Sequence, residues 1–281
     1  MKIAVVNFVS SQSIDKNVER MEAYVTFAAE REVDLIVFPE LCITGYAFYI
    51  ENHEAYSPFQ ITPVIDYFHK IADSHNISIC YGTPYYTENG TYNSAVFSSP
   101  NQLTTVYHKI HLYGKEHRIF KCGTEPTTVE TRFGKIGIGI CYDTISFPEL
   151  FRYYARIGVN LYLNLSALEK ESTIQAKKYM RRVLEYHVQS NGIYIASSNA
   201  TGKQDTKQYL GGSCVVGPNR LTEDAVCYYT NKNLSIQEGI FITDIELNEN
   251  LRFIYEPNRF NSKADYRTDL YEDWLNRKGD I

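Results

Sequence analysis

The chain has 281 residues, of which 44% are hydrophobic and 22% charged, a balance typical of a globular protein with its own core. It carries 28 Lys and Arg against 33 Asp and Glu, a formal charge of −5 with no basic block, which argues against a nucleic-acid partner. No apolar stretch approaches the roughly 18 residues of a membrane span and the first nine residues lack the features of a secretory signal, so we expect a cytoplasmic protein without a membrane partner.

The first half of the chain alternates apolar stretches of strand length with longer stretches of helical periodicity. Val18, Met21 and Val25 carry the apolar stripe of the first helix. Thr62 and Pro63 have the residue types of a helix start, a cap followed by proline. The pattern predicts strands at 2–9, 35–38, 77–81, 92–98 and 103–108, and helices at 13–31 and from Thr62 onwards.

The second half begins with a predicted hairpin and then returns to alternating strands and helices. Phe133 and Gly134 form the hairpin turn, and Gly158 and Gly192 end the two helices that follow. The predicted strands are at 127–132, 135–140, 159–165, 193–198, 213–216 and 239–245, and the helices at 148–157 and 171–191. The polar and aromatic remainder, roughly 247–281, has no clear periodicity and is predicted to be a C-terminal arm.

Strands interleaved with helices are typical of an α/β fold built in layers. No linker rich in Pro, Gly or Ser and no internal repeat interrupts the alternation. The length alone would leave room for two domains of about 150 residues each. Because nothing divides the chain, we expect a single domain over residues 1–281 that includes the arm.

The cysteines have no spacing that predicts a disulfide framework or a metal site. None forms a C-x-x-C pair, and their gaps fit no zinc template. By default they are buried free thiols. The six are Cys42, Cys80, Cys122, Cys141, Cys214 and Cys227. Cys141 differs from the other five because it directly follows a predicted strand and precedes a helix, where α/β folds place their sites.

Three reactive side chains, those of Glu40, Lys109 and Cys141, come within two residues of the end of a predicted strand. Taken singly, each has an ordinary interpretation as a solvated acid, a surface base or a core thiol. Together they have a common chemistry. A carboxylate can deprotonate a thiol that attacks a carbonyl group, and an ammonium can stabilise the resulting oxyanion. These residue types therefore suffice for acyl transfer without a histidine.

The sequence around these residues resembles the nitrilase superfamily, the carbon–nitrogen hydrolases with a Glu-Lys-Cys triad. The similar segments are FPEL at 38–41, HKIHL at 108–112, EHRIFKCG at 116–123, GICYD at 139–143, FPE at 147–149 and YRTDLY at 266–271. The order and gaps also agree with that family, with 69 residues from Glu40 to Lys109 and 32 more to Cys141. The resemblance thus spans nearly the whole chain.

The resemblance implies a four-layer α-β-β-α sandwich and a role for each matching residue. Cys141 would be the nucleophile that forms a thioester, and Glu40 the general base and acid. Lys109 and the backbone N–H of Tyr142 would form the oxyanion site. Glu116 would orient Lys109 or the substrate, or assist proton transfer. The resemblance implies no metal and no cofactor for this chemistry.

Tyr46, Tyr113 and Phe147 lie close in sequence to these segments and are candidates for the wall of a substrate pocket. Asp143 is expected to be structural, since short acids favour caps and turns. One departure from the family is visible, because the three residues 144–146 separate CYD from FPE where two are usual. This insertion alters a position at which many relatives carry an arginine.

We interpret the chain as an amidase-type enzyme that hydrolyses a non-peptide carbon–nitrogen bond. The substrate would be a small linear amide or an N-carbamoyl compound, because Cys-Tyr-Asp resembles amidase branches more than nitrilases, which tend to have Cys-Trp-Glu. Family members usually pair through helix layers and C-terminal arms, which implies a homodimer or a higher homo-oligomer.

Several alternatives stay open at this stage. The chain could hydrolyse nitriles through a thioimidate, or be a catalytically silent binding protein on the same scaffold. A redox role is weaker, since no second cysteine lies at C-x-x-C distance from Cys141. His108 and His111 face opposite ways on a strand and so do not predict a metal site, although a Cys–His dyad remains compatible with the sequence.

Overall fold

A computed structural model describes residues 1–169, 173–219, 226–247, 254–255, 257 and 262–276. The strands in these ranges are β1 Lys2–Asn7, β2 Leu35–Val37, β3 Ser78–Thr87, β4 Gly90–Ser98, β5 Thr105–His108, β6 Thr127–Thr131, β7 Gly134–Ile140, β8 Val159–Ser166, β9 Tyr194–Asn199, β10 Thr201–Gln204, β11 Lys207–Leu210, β12 Cys214–Pro218, β13 Val226–Thr230 and β14 Gly239–Asp244. The helices are α1 Ile14–Ala29, α2 Tyr46–Asn52, α3 Pro58–His75, α4 Tyr142–Ser146, α5 Pro148–Arg156, α6 Thr173–Asn191 and α7 Thr268–Asn276, with short 3-10 helices at His53–Ala55 and Gly114–Arg118.

The strands of the described ranges form two six-stranded sheets and a separate hairpin, β10–β11. The first sheet has the order β14-β1-β2-β3-β4-β5, and the second has the order β13-β12-β9-β8-β7-β6. The central strands β1, β2 and β3 run parallel, as do β7, β8 and β9. The carboxyl ends of each parallel set therefore lie along one edge of their sheet, where α/β folds bind ligands.

The two sheets pack face to face, and helices cover their outer faces. Alternate residues of β1 show this arrangement: Ile3 and Val5 are buried between the sheets, whereas Ala4 and Val6 pack with α1 and α3. In the second sheet, Tyr162 of β8 packs with α5 and α6 in the same way. Strands covered on both faces are rich in apolar residues, as the sequence pattern indicated. The predicted four-layer α-β-β-α sandwich is confirmed.

Helix α3 starts earlier than the sequence suggested. It begins at Pro58 rather than near Thr62, and Pro63 lies inside its second turn. The N-terminus is set by Ser57, whose backbone N–H donates to Oε1 of Gln60 at 3.0 Å. This contact satisfies a donor that a helix start leaves unpaired, and a proline this close to the N-terminus removes only one intrahelical hydrogen bond.

Other differences concern strand ends and short elements. β3 continues to Thr87 because it pairs with β4 along its whole length, and β5 begins at Thr105 rather than Leu103. The sequence did not predict α2, α4, β13 or the hairpin β10–β11, which are too short for a periodic pattern. Residues 171 and 172, at the start of the helix predicted at 171–191, lie outside the described residues.

The segment predicted as a C-terminal arm, 247–281, is described only in part. Its described part contains α7, a nine-residue helix that the aperiodic sequence did not predict. The ring of Tyr271 in this helix packs against Tyr266 and Trp274, with centroids 4.8 and 5.4 Å away. In the part of the chain that is described, no helix has both the length and the apolarity that crossing a membrane requires.

His187 of α6 predicts a loss of stability in acid. Its buried ring stacks on Phe151 at 3.7 Å and its Nε2 lies 2.9 Å from the carbonyl oxygen of Thr144. Burial lowers the pKa of His187 to about 4 from an ordinary 6.5. Between these pH values the unfolded chain binds a proton that the folded protein does not, so acid favours unfolding. Between pH 7 and pH 4, we expect the free energy of unfolding, measured by urea denaturation, to fall by about 3 kcal/mol more in the wild type than in His187→Gln. An equal fall in the two proteins would contradict this prediction.

Candidate active site

The three strand ends selected from the sequence meet where the two sheets come together. Glu40 follows β2 and Lys109 follows β5 in the first sheet, whereas Cys141 follows β7 in the second. The backbone N–H of Ala167, directly after β8, donates to Oε2 of Glu40 at 3.0 Å. One carboxylate therefore bridges the carboxyl ends of the two sheets.

Two glycines allow the chain to approach the first-sheet residues closely. A Cβ on Gly82 would lie 2.4 Å from the backbone nitrogen of Leu41 and 2.6 Å from Cα of Glu40. A Cβ on Gly123 would lie 2.1 Å from the carbonyl oxygen of His108, just before Lys109. Only glycine fits at such distances, so these positions hold the Glu40 and Lys109 loops against their neighbours.

The Glu40 carboxylate is buried, and both of its oxygens accept hydrogen bonds. Its Oε1 accepts from Nζ of Lys109 at 2.7 Å and from Nδ2 of Asn93 at 2.8 Å, while its Oε2 accepts from Ala167. Burial raises the pKa of Glu40, and the positive charge of Lys109 opposes this rise. A carboxylate with a raised pKa is suited to accept and return a proton near neutral pH.

The Lys109 ammonium lies between two buried carboxylates. Besides Glu40, its Nζ donates to Oε1 of Glu116 at 2.9 Å. Glu116 also accepts from the hydroxyl of Tyr46 at 2.7 Å and from the backbone N–H of Tyr113 at 3.0 Å. Burial acts to lower the pKa of Lys109, but the charges of Glu40 and Glu116 outweigh it and the pKa is raised. Lys109 therefore keeps its positive charge at every physiological pH.

Cys141 has an unusual backbone at the turn from β7 into α4. Its φ is 47° and its ψ is −93°, which lies outside the regions that residues with a side chain normally adopt. Such strain persists only where the surroundings hold it, and it concentrates at functional sites. The turn places the backbone N–H of Tyr142 at the first position of α4, where an N–H has no acceptor within the helix.

The charges of the buried cluster act on the Cys141 thiol. Burial and the negative charge of Glu40 raise the pKa of Cys141, and the positive charge of Lys109 partly lowers it again. The thiol is consequently protonated at rest, so a base must take its proton when it attacks. The nearby Glu40 carboxylate has the charge and the pKa shift for that step.

The three pocket candidates contact this cluster or the residue after Cys141. Tyr46 contacts Glu116 through its hydroxyl, and its ring packs against Tyr209 with centroids 6.4 Å apart. The rings of Tyr113 and Phe147 each lie 5.1 Å from the ring of Tyr142. Aromatic side chains therefore flank the residue next to Cys141, although Tyr113 itself is largely exposed.

The histidines near Lys109 have other partners. Nδ1 of His108 lies 2.7 Å from the hydroxyl of Ser94, and Nδ1 of His111 lies 2.9 Å from Oδ1 of Asp143. Across the described residues, no group of three or more His, Cys, Asp or Glu side chains is arranged to hold a metal ion.

The sequence matches the carbon-nitrogen hydrolase family over residues 2–221. The chain belongs to this family. The matching residues cover most of the chain, including the elements that carry the buried cluster and the Cys141 turn. The resemblance noted from the sequence motifs is therefore confirmed.

Similar proteins of the carbon-nitrogen hydrolase family are named as nitrilases and amidases. A probable nitrilase of Schizosaccharomyces pombe is 29% identical over 211 residues, which cover 73% of this chain and 76% of that protein. An omega-amidase of Saccharomyces cerevisiae is 27% identical over 238 residues, which cover 78% of this chain and 80% of the relative. These names differ in substrate, so the relatives support the family more strongly than a single reaction.

The fold of this carbon-nitrogen hydrolase is also that of a solved amidase from Nesterenkonia sp. AN1. A cysteine variant of that amidase superposes with a TM-score of 0.81 at 22% identity and covers 98% of both chains. Another variant of the Nesterenkonia enzyme carries acrylamide added to its active-site cysteine, and a third is in complex with butyramide. This likeness establishes the shared architecture.

Sequence reasoning missed two contacts of the carbon-nitrogen hydrolase site. Asn93 donates to Glu40 from within β4, and a buried asparagine inside a strand is an unusual choice that could have drawn attention. Ala167 contributes only its backbone N–H, for which no side-chain signal exists.

Proposed function

We propose that this protein hydrolyses a non-peptide carbon–nitrogen bond of a small linear amide or N-carbamoyl compound through a thioester on Cys141. The observation that carries the proposal is the buried cluster in which Lys109 contacts Glu40 at 2.7 Å and Glu116 at 2.9 Å while all three charges act on the Cys141 thiol. A base, a cation and a nucleophile are the groups that acyl transfer requires.

In the first step, Glu40 takes the thiol proton as the Cys141 sulfur forms a bond to the substrate carbonyl carbon. The carbonyl oxygen becomes an oxyanion, which the Lys109 ammonium and the backbone N–H of Tyr142 stabilise. Glu40 then gives its proton to the substrate nitrogen, and the carbon–nitrogen bond breaks. Ammonia or an amine leaves, and a thioester remains on Cys141.

In the second step, Glu40 takes a proton from water, whose oxygen attacks the thioester carbon. The second oxyanion collapses, the carbon–sulfur bond breaks and Cys141 recovers a proton. Glu116 holds the Lys109 ammonium in place throughout, because its Oε1 accepts from Nζ at 2.9 Å. Tyr46 in turn fixes Glu116, since burial and the charge of Glu116 raise the pKa of Tyr46 and keep its hydroxyl a donor.

We further assign Tyr46, Tyr113 and Phe147 to the wall of the substrate pocket. Support comes from the direct contact of Tyr46 with Glu116 and from the packing of the other two rings against Tyr142. Aromatic rings of this kind bind the apolar part of a small ligand. The reactive carbonyl would then lie between this wall and Cys141.

Nitrile hydrolysis is the second candidate, favoured by relatives whose names are nitrilases. Attack of Cys141 on a nitrile carbon gives a thioimidate, which water converts into the same thioester with loss of ammonia. The same base and cation serve this route, so substrate shape rather than chemistry separates the two candidates.

We also propose that the protein acts as a homodimer or larger homo-oligomer. Large aromatic side chains are exposed on the helices that cover the second sheet and on the C-terminal helix, among them Tyr153 of α5, Tyr186 of α6 and Trp274 of α7. Aromatic side chains are enriched at protein interfaces, which supports the proposal. The cytoplasmic location and the single domain expected from the sequence stay predictions.

The test of the proposed function is ammonia release from a panel of aliphatic amides, N-carbamoyl amines and acids, and the matching nitriles. We expect kcat/KM to be at least about tenfold higher for the best amide or N-carbamoyl compound than for the nitrile of the same carbon skeleton. Acid quenching during turnover should trap an acyl group on the peptide that contains Cys141. A preference for the nitrile would favour the second candidate, and no ammonia from any compound would reject the proposal.

A further inference from the structure

The buried carboxylate of Asp143 lies two residues after Cys141 and uses both of its oxygens. Its Oδ2 accepts from the hydroxyl of Tyr107 at 2.7 Å and from the backbone N–H of Ile140 at 3.0 Å. Its Oδ1 accepts from the backbone N–H of His111 at 3.0 Å and lies 2.9 Å from the Nδ1 of the same residue. Four donors occupy a group that has about four acceptor positions.

The partners of this carboxylate flank the proposed reactive residues. Tyr107 and His111 lie two residues before and two residues after Lys109, whereas Ile140 directly precedes Cys141. A carboxylate that only capped α4 would need no partner outside its own turn. The contacts to Tyr107 and His111 instead span 36 and 32 residues and connect the end of β5 in the first sheet to the end of β7 in the second.

We propose that Asp143 is a positioning residue that sets the separation between the Lys109 ammonium and the Cys141 sulfur, an inference that rests on the proposed function. The strained backbone of Cys141, with φ at 47°, needs a local restraint, and the bond from Ile140 supplies one. The hydrogen bonds from Tyr107 and His111 fix the chain on both sides of Lys109. A misplacement of about 1 Å between reacting groups can lower a rate by about a hundredfold.

Asn is the sharpest replacement because it has the shape of Asp but only one acceptor oxygen. In Asp143→Asn, at least two of the four donors lose their acceptor, and the new NH₂ group faces other donors. We expect kcat on the best substrate to fall by about 30- to 100-fold, while KM changes less than threefold. A purely structural role would lower the melting temperature without this split between kcat and KM.

A second readout is independent of turnover. Iodoacetamide reacts with the thiolate form of cysteine, and Lys109 acts to lower the pKa of the Cys141 thiol. If Asp143 holds Lys109 near the sulfur, alkylation of Cys141 at pH 8 should be about tenfold slower in Asp143→Asn, as measured by mass spectrometry of the peptides. Cys227, half-buried on β13 at the far edge of the second sheet, is the internal reference and should react at the same rate in both proteins.

Tyr107→Phe tests the same idea if Asp143→Asn does not fold, since it removes one of the four bonds. We expect it to lower kcat by about three- to tenfold. Tyr154→Phe is the matched control, because Tyr154 is equally buried but donates its hydroxyl to backbone carbonyls of β6 and β7. The control should lose a comparable amount of thermal stability and keep kcat within twofold.

Two outcomes would overturn the inference: an unchanged alkylation rate of Cys141 in Asp143→Asn, or an equal loss of kcat in Tyr107→Phe and Tyr154→Phe. A wild-type protein that released no ammonia from any compound would reject the proposed function instead. The alkylation rates would in that case still decide whether Asp143 holds Lys109 close to Cys141.

Discussion

Replacing Cys141 by alanine should lower kcat for amide hydrolysis by about 10⁴-fold or more, the scale seen when a hydrolase loses its nucleophile. Alanine has no sulfur to form the thioester, and Glu40 and Lys109 could only assist a direct attack by water. The melting temperature should change little, since the thiol is half-buried and removing it leaves no buried charge. Ammonia release measures the loss, and the acyl group on the Cys141 peptide should be absent after acid quenching.

The matched control is Cys227→Ala, because this cysteine is half-buried to a similar degree and lies on β13, away from the cluster. It should keep kcat within twofold. Turnover by Cys141→Ala above one hundredth of the wild-type value would rule out Cys141 as the nucleophile. Ligand binding by a wild-type protein that never turns over would instead favour the alternative of a silent binding protein.

Replacing Lys109 by alanine should lower kcat by about 10²- to 10³-fold, as expected for loss of an oxyanion donor. The same change leaves Glu40 and Glu116 buried together without their shared cation. We therefore expect the free energy of unfolding to fall by about 3 kcal/mol at pH 8. The loss should become smaller as the pH falls, because burial raises the pKa of Glu40 and a protonated Glu40 leaves less uncompensated charge.

The pH dependence of activity provides a separate check on this arrangement. Glu40 must be ionised to accept a proton, and its raised pKa places the acid limb of kcat/KM above the pH at which an ordinary glutamate titrates. Lys109 acts to lower the pKa of Glu40, so the limb should move to higher pH in Lys109→Ala. An unchanged limb would indicate that another group is the base.

Lys115→Ala is the matched control for the lysine. Lys115 also contacts a glutamate, Glu51, at 2.7 Å, but this ion pair is exposed on the surface. Surface ion pairs contribute little to stability. The control should therefore keep kcat within twofold and change the free energy of unfolding by less than about 0.5 kcal/mol. If Lys115→Ala lowered kcat and stability as much as Lys109→Ala, the effects of Lys109→Ala would come from the loss of a lysine charge rather than from its position.

The layered fold could be predicted because the interiors of both sheets are visible in the sequence. Strand β1, for example, is buried on both faces and is apolar from Ile3 to Val6, a pattern that local sequence reveals. The start of α3 was predicted less accurately than the layered fold. Thr62 and Pro63 satisfy the rule for a helix start, but Ser57, Pro58 and Gln60 satisfy it one turn earlier.

For the candidate site too, some properties could be predicted from the sequence and others could not. The sequence by itself predicted Glu40, Lys109, Cys141 and Glu116 as a set, because the motifs around them, their order and their spacing resemble those of the carbon–nitrogen hydrolases. Only the tertiary structure decided that Asn93 hydrogen-bonds Glu40 and that burial and the charge of Glu40 raise the pKa of the Cys141 thiol. These properties depend on which groups become neighbours and how much water they lose when the two sheets pack, and neither is encoded at any single position of the chain.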